Sequence, residues 1–317
     1  MNAKIPDISN QVYKEEIQNL LISEYSTLGS VWVNQQMEWM NGTYTAFKNH
    51  DKFLIIIYLL KKALDFYSRS FIKLSYEEFY QNDNVTIDKF SIAEISYELN
   101  IPKESARRKI RELEDLGVIK KSKKNIIIDR SSFGRIKPVD TIIRISRFLS
   151  ILTNLCVDEK ILKKKIESKE FEITIKKNFS YIWKTYYELQ IPMMLTYKKV
   201  FIDLETFHIF GTCVVNQHLH TQKLNKLKMS RDIFLDSLIQ TEFLGINAMS
   251  ISDITNIPRA TVIRKLRKLV KNQVLIIDKK KLYRLSGYFS EKMKPTQKII
   301  LDQLAIFSTK IINLAKL

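Results

Sequence analysis

The chain of 317 residues carries one forty-residue segment twice. Residues 90–129 read FSIAEISYELNIPKESARRKIRELEDLGVIKKSKKNIIID, and residues 246–285 read INAMSISDITNIPRATVIRKLRKLVKNQVLIIDKKKLYRL. Superposing Pro258 on Pro102 gives an offset of 258 − 102 = 156, with no gap up to the hairpin. Ile251 then meets Ile95, Asn256 meets Asn100, Ile257 meets Ile101, Arg264 meets Arg108, Leu266 meets Ile110 and Leu269 meets Leu113. Apolar positions coincide throughout, which two unrelated basic helices would not achieve.

Each copy dictates its own local structure. Ser91 followed by Glu94 reads as a capping box, so a helix begins after Ser91 with Ile92, Ile95 and Leu99 on one face. Asn100 tolerates the left-handed conformation of a tight turn, and Pro102 suits the entry of the next helix. There Ala106, Ile110 and Leu113 form a buried stripe, leaving Lys103, Glu104, Arg107, Arg108 and Arg111 outward. Gly117 is the expected C-terminal cap, and VIKK-SKKN-IIID reads as two short strands around a basic tip. In the second copy the first helix starts at Asn247 or Ser250, and Asn272-Gln273 replaces the glycine, with asparagine expected in the left-handed position. Helix, turn, helix and hairpin in this order make a winged helix-turn-helix.

The net charge of +18 is concentrated on these copies. Residues 101–124 hold nine Lys/Arg and four Asp/Glu, a net of +5, and residues 258–284 hold ten and one, a net of +9. So 5 + 9 = 14 of the 18 excess charges lie in two turn-helix-hairpin segments. A charge that merely solubilises is spread out, whereas a phosphate-binding footprint is focused.

Elsewhere the sequence predicts long helices. Residues 11–28 and 32–48 have helical spacing, and an apolar helix is expected from Asp51 to about Gln81, ended by Asn82-Asp83-Asn84. A further helix follows Lys137-Pro138, with a counterpart after Lys294-Pro295. Phe148 matches Phe307 at an offset of 159, and Trp32 and Tyr44 have looser counterparts in Trp183 and Tyr197. The repeat therefore covers the chain as two units, 1–156 and 157–317. The charged stretch 157–170 is either a helical linker or the first helix of unit two. The expected fold is mainly α with small β-hairpin wings: two winged units and long interface helices about a pseudo-twofold axis.

The turn ending Asn-Ile-Pro and the following Thr/Ser-x-x-Arg helix resemble bacterial winged-helix transcription regulators of the MarR and IclR types, over about 80 of the 317 residues. In the MarR type the flanking helices form a homodimer interface, so two units in one chain imply an internal, single-chain version of that dimer. The resemblance implies that the second helix of each unit enters a major groove of double-stranded DNA and the wing follows the backbone. Arg107, Arg108, Arg111, Arg264 and Arg267 are then expected at phosphates or guanine edges, and Ser105 and Thr261 at phosphate oxygens. Lys103 and Arg259 sit at the helix entries. Ile263 suits a thymine methyl, and the tip lysines Lys121, Lys123, Lys124, Lys279, Lys280 and Lys281 supply sequence-independent attraction.

Catalytic and metal chemistry is poorly represented. The sequence has no Gly-rich phosphate loop, CxxC or HExxH. His208, Cys213, His218 and His220 lie close together but in an apolar helix, where core packing is the expected role. Trp32, Trp39, Tyr44, Trp183, Tyr186 and Tyr187 are likewise assigned to the core, with an effector pocket between interface helices and reading heads as the alternative. Cys156 and Cys213 cannot build a disulfide framework and suit a reducing compartment. The first residues lack a signal-peptide profile, and the longest apolar run, residues 53–60, is too short for a membrane. These features lead to a cytoplasmic, nucleoid-associated, non-enzymatic regulator without cofactor that binds an imperfect palindrome. The alternatives are a plasmid-type replication initiator and a protein-interaction module, including one docked on RNA polymerase. A small-molecule effector and further pairing of two chains stay open.

Overall fold

Helical periodicity in the sequence becomes two successive sets of helices, described by a computed structural model over residues 11–122, 125–132, 138–224, 228–240 and 245–316. The first half runs α1 (Lys14–Ser23), α2 (Tyr25–Phe47), α3 (His50–Arg69), α4 (Tyr76–Phe79), β1 (Asn84–Asp88), α5 (Ile92–Glu98), α6 (Lys103–Asp115), β2 (Ile119–Lys121), β3 (Asn125–Asp129) and α7 (Val139–Asp158). The second runs α8 (Ser168–Lys177), α9 (Phe179–Phe201), α10 (Leu204–Leu224), α11 (Arg231–Gln240), α12 (Ala248–Thr255), α13 (Arg259–Lys271), β4 (Leu275–Ile277), β5 (Tyr283–Leu285) and α14 (Gly287–Ala315). Over the described residues the chain is mainly helical with two small antiparallel sheets, ordered β1-β3-β2 and β4-β5.

The halves repeat each other closely. Helices α1 and α8 have ten residues each, α2 and α9 have 23 each, and α6 and α13 have 13 each. The first two pairs are offset by 154 (168 − 14 and 179 − 25), and the third by 156 (259 − 103). The break after the second helix falls at equivalent residues, Lys48 at φ 51° and Ile202 at φ 74°. A β-branched residue there is strained, at a cost on the order of 1–2 kcal/mol. The third helices are then capped by equivalent side chains: Asn49 accepts from Lys52 N at 3.1 Å, and Asp203 accepts from Thr206 N at 2.8 Å.

Several boundaries differ from the sequence reading. The 11–28 helix breaks at Glu24, so α2 begins at Tyr25 rather than Trp32. The helix expected to reach Gln81 stops at Arg69, beyond which Phe71 turns left-handed before the short α4. The Asn84 stretch starts strand β1, which pairs with β3 through Asn84–Asp129 and Val85–Ile128. Pro295 does not start a helix but lies within α14, where it is itself exposed to solvent. The 157–170 stretch is not a helical linker, because helix resumes only at Ser168. With the offset of 154, Trp32 corresponds to Tyr186 rather than to Trp183, whose counterpart is Gly29. The equivalent aromatic contacts Trp32–Phe148 (5.4 Å) and Tyr186–Phe307 (5.9 Å) support this assignment.

Packing is reciprocal between the halves. Helix α1 lies on α14 while α8 lies on α7, and α2 packs on α10 while α9 packs on α3. Each half thus buries its apolar surface largely against the other, in one continuous core. At the crossing of α2 and α9, the equivalent residues Gln36 and Gln190 (190 − 36 = 154) are buried and bond each other twice. Gln36 Nε2 donates to Gln190 Oε1 at 3.0 Å, and Gln190 Nε2 donates back to Gln36 Oε1 at 3.1 Å. Such self-pairing of equivalent residues marks the pseudo-twofold axis.

Replacing one glutamine leaves the other amide buried without a partner, whereas replacing both leaves an apolar contact. Gln36→Leu alone is therefore expected to cost about 2 kcal/mol in denaturant unfolding. The double variant Gln36→Leu/Gln190→Leu should cost clearly less than the sum of the two single changes.

Candidate nucleic-acid interface

The two copies of the repeated segment fold alike in detail. Asn100 (φ 47°) and Asn256 (φ 57°) both take the left-handed turn, and Pro102 and Pro258 precede α6 and α13 with nearly equal angles. Ser91 caps α5 by accepting from Glu94 N at 3.0 Å. The return half of the expected capping box does not form, because the Glu94 carboxylate is drawn to Lys62 (2.5 Å) and Tyr58 (3.1 Å). In the second copy Asn247, not Ser250, is the cap, accepting from Ser250 N at 2.9 Å.

Both second helices end in the same motif. Gly117 N reaches Glu114 O and Val118 N reaches Leu113 O, both at 2.9 Å. Gln273 N reaches Val270 O at 3.0 Å and Val274 N reaches Leu269 O at 2.9 Å. The left-handed residue of the second copy is Gln273 (φ 57°) rather than Asn272 (φ −86°), because the motif requires that position whatever residue occupies it.

The buried stripes are as expected, Ala106, Ile110 and Leu113 in α6 and Val262, Leu266 and Leu269 in α13. One residue of each stripe was missed. Lys109 and Lys265, again 156 apart, are buried too and hold their helices to the core. Lys109 Nζ lies 3.8 Å from Asp51 at the start of α3, and Lys265 Nζ pairs with Asp203 at the start of α10. Asp51 also accepts from Lys198 at 3.0 Å, and Lys198 Nζ reaches Leu99 O at 3.4 Å, closing the seam between α9 and α5. Burial alone would raise the Asp203 carboxyl, but hydrogen bonds from Lys265 and Thr206 outweigh it and hold the group below its ordinary value. The spacing 106-109-113 marks Lys109 as inward-facing. Counting it with the basic footprint obscured that.

The anchored ends lie side by side. His50, at the start of α3, and His208, in the first turns of α10, share a hydrogen bond of 3.2 Å between Nε2 and Nδ1. Thr43 Oγ1 lies 2.8 Å from His50 Nδ1, and Asn41 Oδ1 lies 2.7 Å from His208 Nε2. With Asn41 accepting, His208 donates from Nε2 and accepts at Nδ1 from His50 Nε2, and the Thr43 hydroxyl, which also lies 2.9 Å from Met40 O, faces the remaining His50 Nδ1. Both imidazoles are neutral. Burial drives His50 well below its usual range and His208 down to about 3.

Outside these anchors the cationic side chains face solvent. Lys103, Arg107, Arg108, Arg111 and Lys121 are exposed in the first copy, as are Arg259, Arg264, Arg267, Lys279, Lys280 and Lys281 in the second. Ser105, Thr261 and Ile263 are half-buried, while Lys123 and Lys124 lie outside the described residues. The copies differ in how far their charge is already paired. Arg107 lies 3.6 Å from Glu104, Arg108 3.8 Å from Glu112 and Lys121 2.6 Å from Glu114. Among the described residues, no ion pair involves Arg259, Arg264, Arg267 or Lys279 to Lys281. The second hairpin also shows solvent half-exposed Ile276 and Ile277 where the first has Lys120 and Lys121.

His208 and Cys213 are buried core residues, and both cysteines are free. Among the described residues no group of three His, Cys, Asp or Glu could hold a metal ion, and no helix is long and apolar enough to cross a membrane. The chain matches no protein-family model, no curated protein and no solved structure.

His218, also buried and lowered to about 3, joins His50 and His208 as an imidazole that folds neutral. A histidine whose folded pKa lies below its unfolded value of about 6.5 stabilises fully above that value, and the contribution is lost as pH falls toward the folded pKa. Stability should therefore be level above pH ~7 and fall between pH 6.5 and 5, each histidine contributing up to about 1.4 kcal/mol per pH unit. Denaturant unfolding at stepped pH measures this, and His208→Gln should make the slope shallower.

Proposed function

We propose that the chain is a sequence-specific double-stranded DNA-binding transcriptional regulator in which two winged helix-turn-helix units act as a single-chain pseudo-dimer. The observation that carries this reading is the matched pair α6 and α13. Each exposes a row of arginines, each is fixed to the core by an equivalent buried lysine, and the two anchor points meet at the His50–His208 contact. Helices so held enter DNA with little further ordering, which favours binding. The order β1-β3-β2 behind α6, with a hairpin beyond it, supports the wing assignment.

In this reading α6 and α13 lie in major grooves about one helical turn apart, with the hairpin tips along the backbone. Arg108 and Arg264 reach phosphates or guanine edges, and Ser105 and Thr261 reach phosphate oxygens. The half-sites are unequal. The first head presents Glu104 and arginines partly neutralised by neighbouring carboxylates, while the second presents Ala260, Ile263 and unpaired arginines. The chain performs no catalysis and needs no cofactor for this task.

DNA fragments selected from a genomic pool should show an imperfect palindrome. Anisotropy titrations should give a loss of about 1–3 kcal/mol for Arg264→Ala, concentrated at one half-site. Arg108→Ala should cost less, because breaking its pairing with Glu112 offsets part of the gain in the wild type. Affinity should fall steeply with salt, as ~6 to 10 phosphate contacts require. A flat salt titration, or unchanged binding by the Arg108→Ala/Arg264→Ala double variant, overturns the reading.

A further inference from the structure

The two sides of the pseudo-twofold core are not equally filled. Between α2, α10, α11 and α14 lies a cavity of about 100 Å³. Its wall includes Tyr25, Met37, Phe210, Leu238 and Ile300 and, among the described residues, no charged side chain. One polar atom in this wall is unsatisfied: Gln297 Oε1 is buried without a hydrogen-bond partner.

The reason for the space lies in four substitutions between the halves, each pair 154 apart. Gly29 stands opposite Trp183, Val33 opposite Tyr187, Gly211 opposite Ile57 and Met193 opposite Trp39. In every pair the smaller or more flexible residue lines the cavity. Across the axis the larger ones fill the volume, with Trp183 stacked on Phe179 at 4.9 Å and Trp39 edge-on to Phe53 at 5.5 Å. The two glycines are not idle gaps. A Cβ at Gly29 would meet the Tyr25 ring at 2.6 Å, and one at Gly211 would meet Met37 Sδ at 2.1 Å. They let Tyr25 and Met37 lie flat against the helices and keep the space open.

The cavity also touches the second cationic module. Leu285 and Ser286, at the end of β5, form part of its wall. Gln217 ties them to the core, accepting from Leu285 N at 2.5 Å while donating to Leu238 O at 3.0 Å.

We propose that this cavity is a binding site for a compact, uncharged molecule of about one aromatic ring bearing a hydrogen-bond donor for Gln297 Oε1, and that the ligand acts on the second module alone. An apolar cavity of about 150 Å³ holds benzene, and the flexible thioethers of Met37 and Met193 allow the smaller space here to adjust. A charged ligand would lose its hydration against an apolar wall. The binding claim is independent of the proposed function, but the action on the second module rests on it.

Phenol and benzene are the probes, used with the full chain by calorimetry and thermal unfolding. Phenol should bind the wild type and raise its melting temperature. Gln297→Leu should weaken phenol roughly tenfold, the loss of one hydrogen bond, and leave benzene unchanged. Val33→Tyr, which installs the side chain found across the axis, should abolish both. No binding of either probe, or equal phenol affinity in the wild type and Gln297→Leu, overturns the site, and the latter comparison holds even if Val33→Tyr fails to fold. On DNA, phenol should change affinity for the half-site lost in Arg264→Ala and not for the other. Phenol binding with no such change overturns the regulatory claim alone. Phenol binding by a chain that binds no DNA overturns the proposed function and leaves the site standing.

Discussion

Reciprocal packing of the two halves is the constraint from which the remaining structure follows. Neither half places its long helices against its own partners alone: α2 needs α10, α9 needs α3, and the first helix of each half lies on the last helix of the other. Apolar burial supplies the drive but is not directional, so it does not choose between neighbouring registers. The Gln36–Gln190 pair does. Two buried amides satisfy each other only when equivalent positions face across the axis, and slipping either helix strands a donor and an acceptor at once. Polar contacts of this kind contribute little net stability and much specificity.

From that register the placement of the cationic helices follows. With α3 and α10 fixed, their starting turns meet at His50 and His208, and Asp51 and Asp203 stand at the same end. The carboxylates favour helix N-termini for electrostatic reasons and remain able to receive a lysine. Lys109 and Lys265 therefore do for α6 and α13 what an extra leucine could not. They bind each helix to one point rather than to a surface it could slide along. The surrounding Asp51–Lys198 contact and the histidine chain keep every buried polar group at this junction partnered, which its burial requires.

Much of this was legible in the sequence, and the failures share a cause. The repeated module, its turn asparagines and its buried stripes follow from local periodicity and backbone preference, and those rules hold within forty residues. What the sequence hid depends on partners far along the chain. Glu94 abandons its capping box for Lys62, α3 ends early at Arg69, and the helix continues through Pro295. Gln273 adopts the left-handed angle although asparagine stands next to it. Matching Trp32 with Trp183 failed because identical letters outweighed element length, whereas the aligned helices pair tryptophan with tyrosine and glycine with tryptophan. The inward lysines were visible in the spacing 106-109-113, but a charged residue is expected outside unless its partner is known, and Asp51 lies 58 positions earlier (109 − 51).

A duplicated chain also has a freedom that two identical subunits lack. In a homodimer each substitution appears on both sides of the axis, so a cavity opened on one side opens on the other, and a charge added to one head is added to its mate. Here the sides diverged together. The second turn-helix-hairpin segment, residues 258–284, holds one carboxylate where residues 101–124 hold four, a net of +9 against +5, and the cavity against its hairpin is formed by small residues where the other side holds tryptophan, tyrosine and isoleucine. The side with the less neutralised cationic surface is therefore also the side with the less completely filled core. The first side, by contrast, has β1 added to its sheet and Arg130 seated on Phe79 and Tyr80 at 4.5 Å. Two identical subunits about an exact twofold axis could not differ in this way.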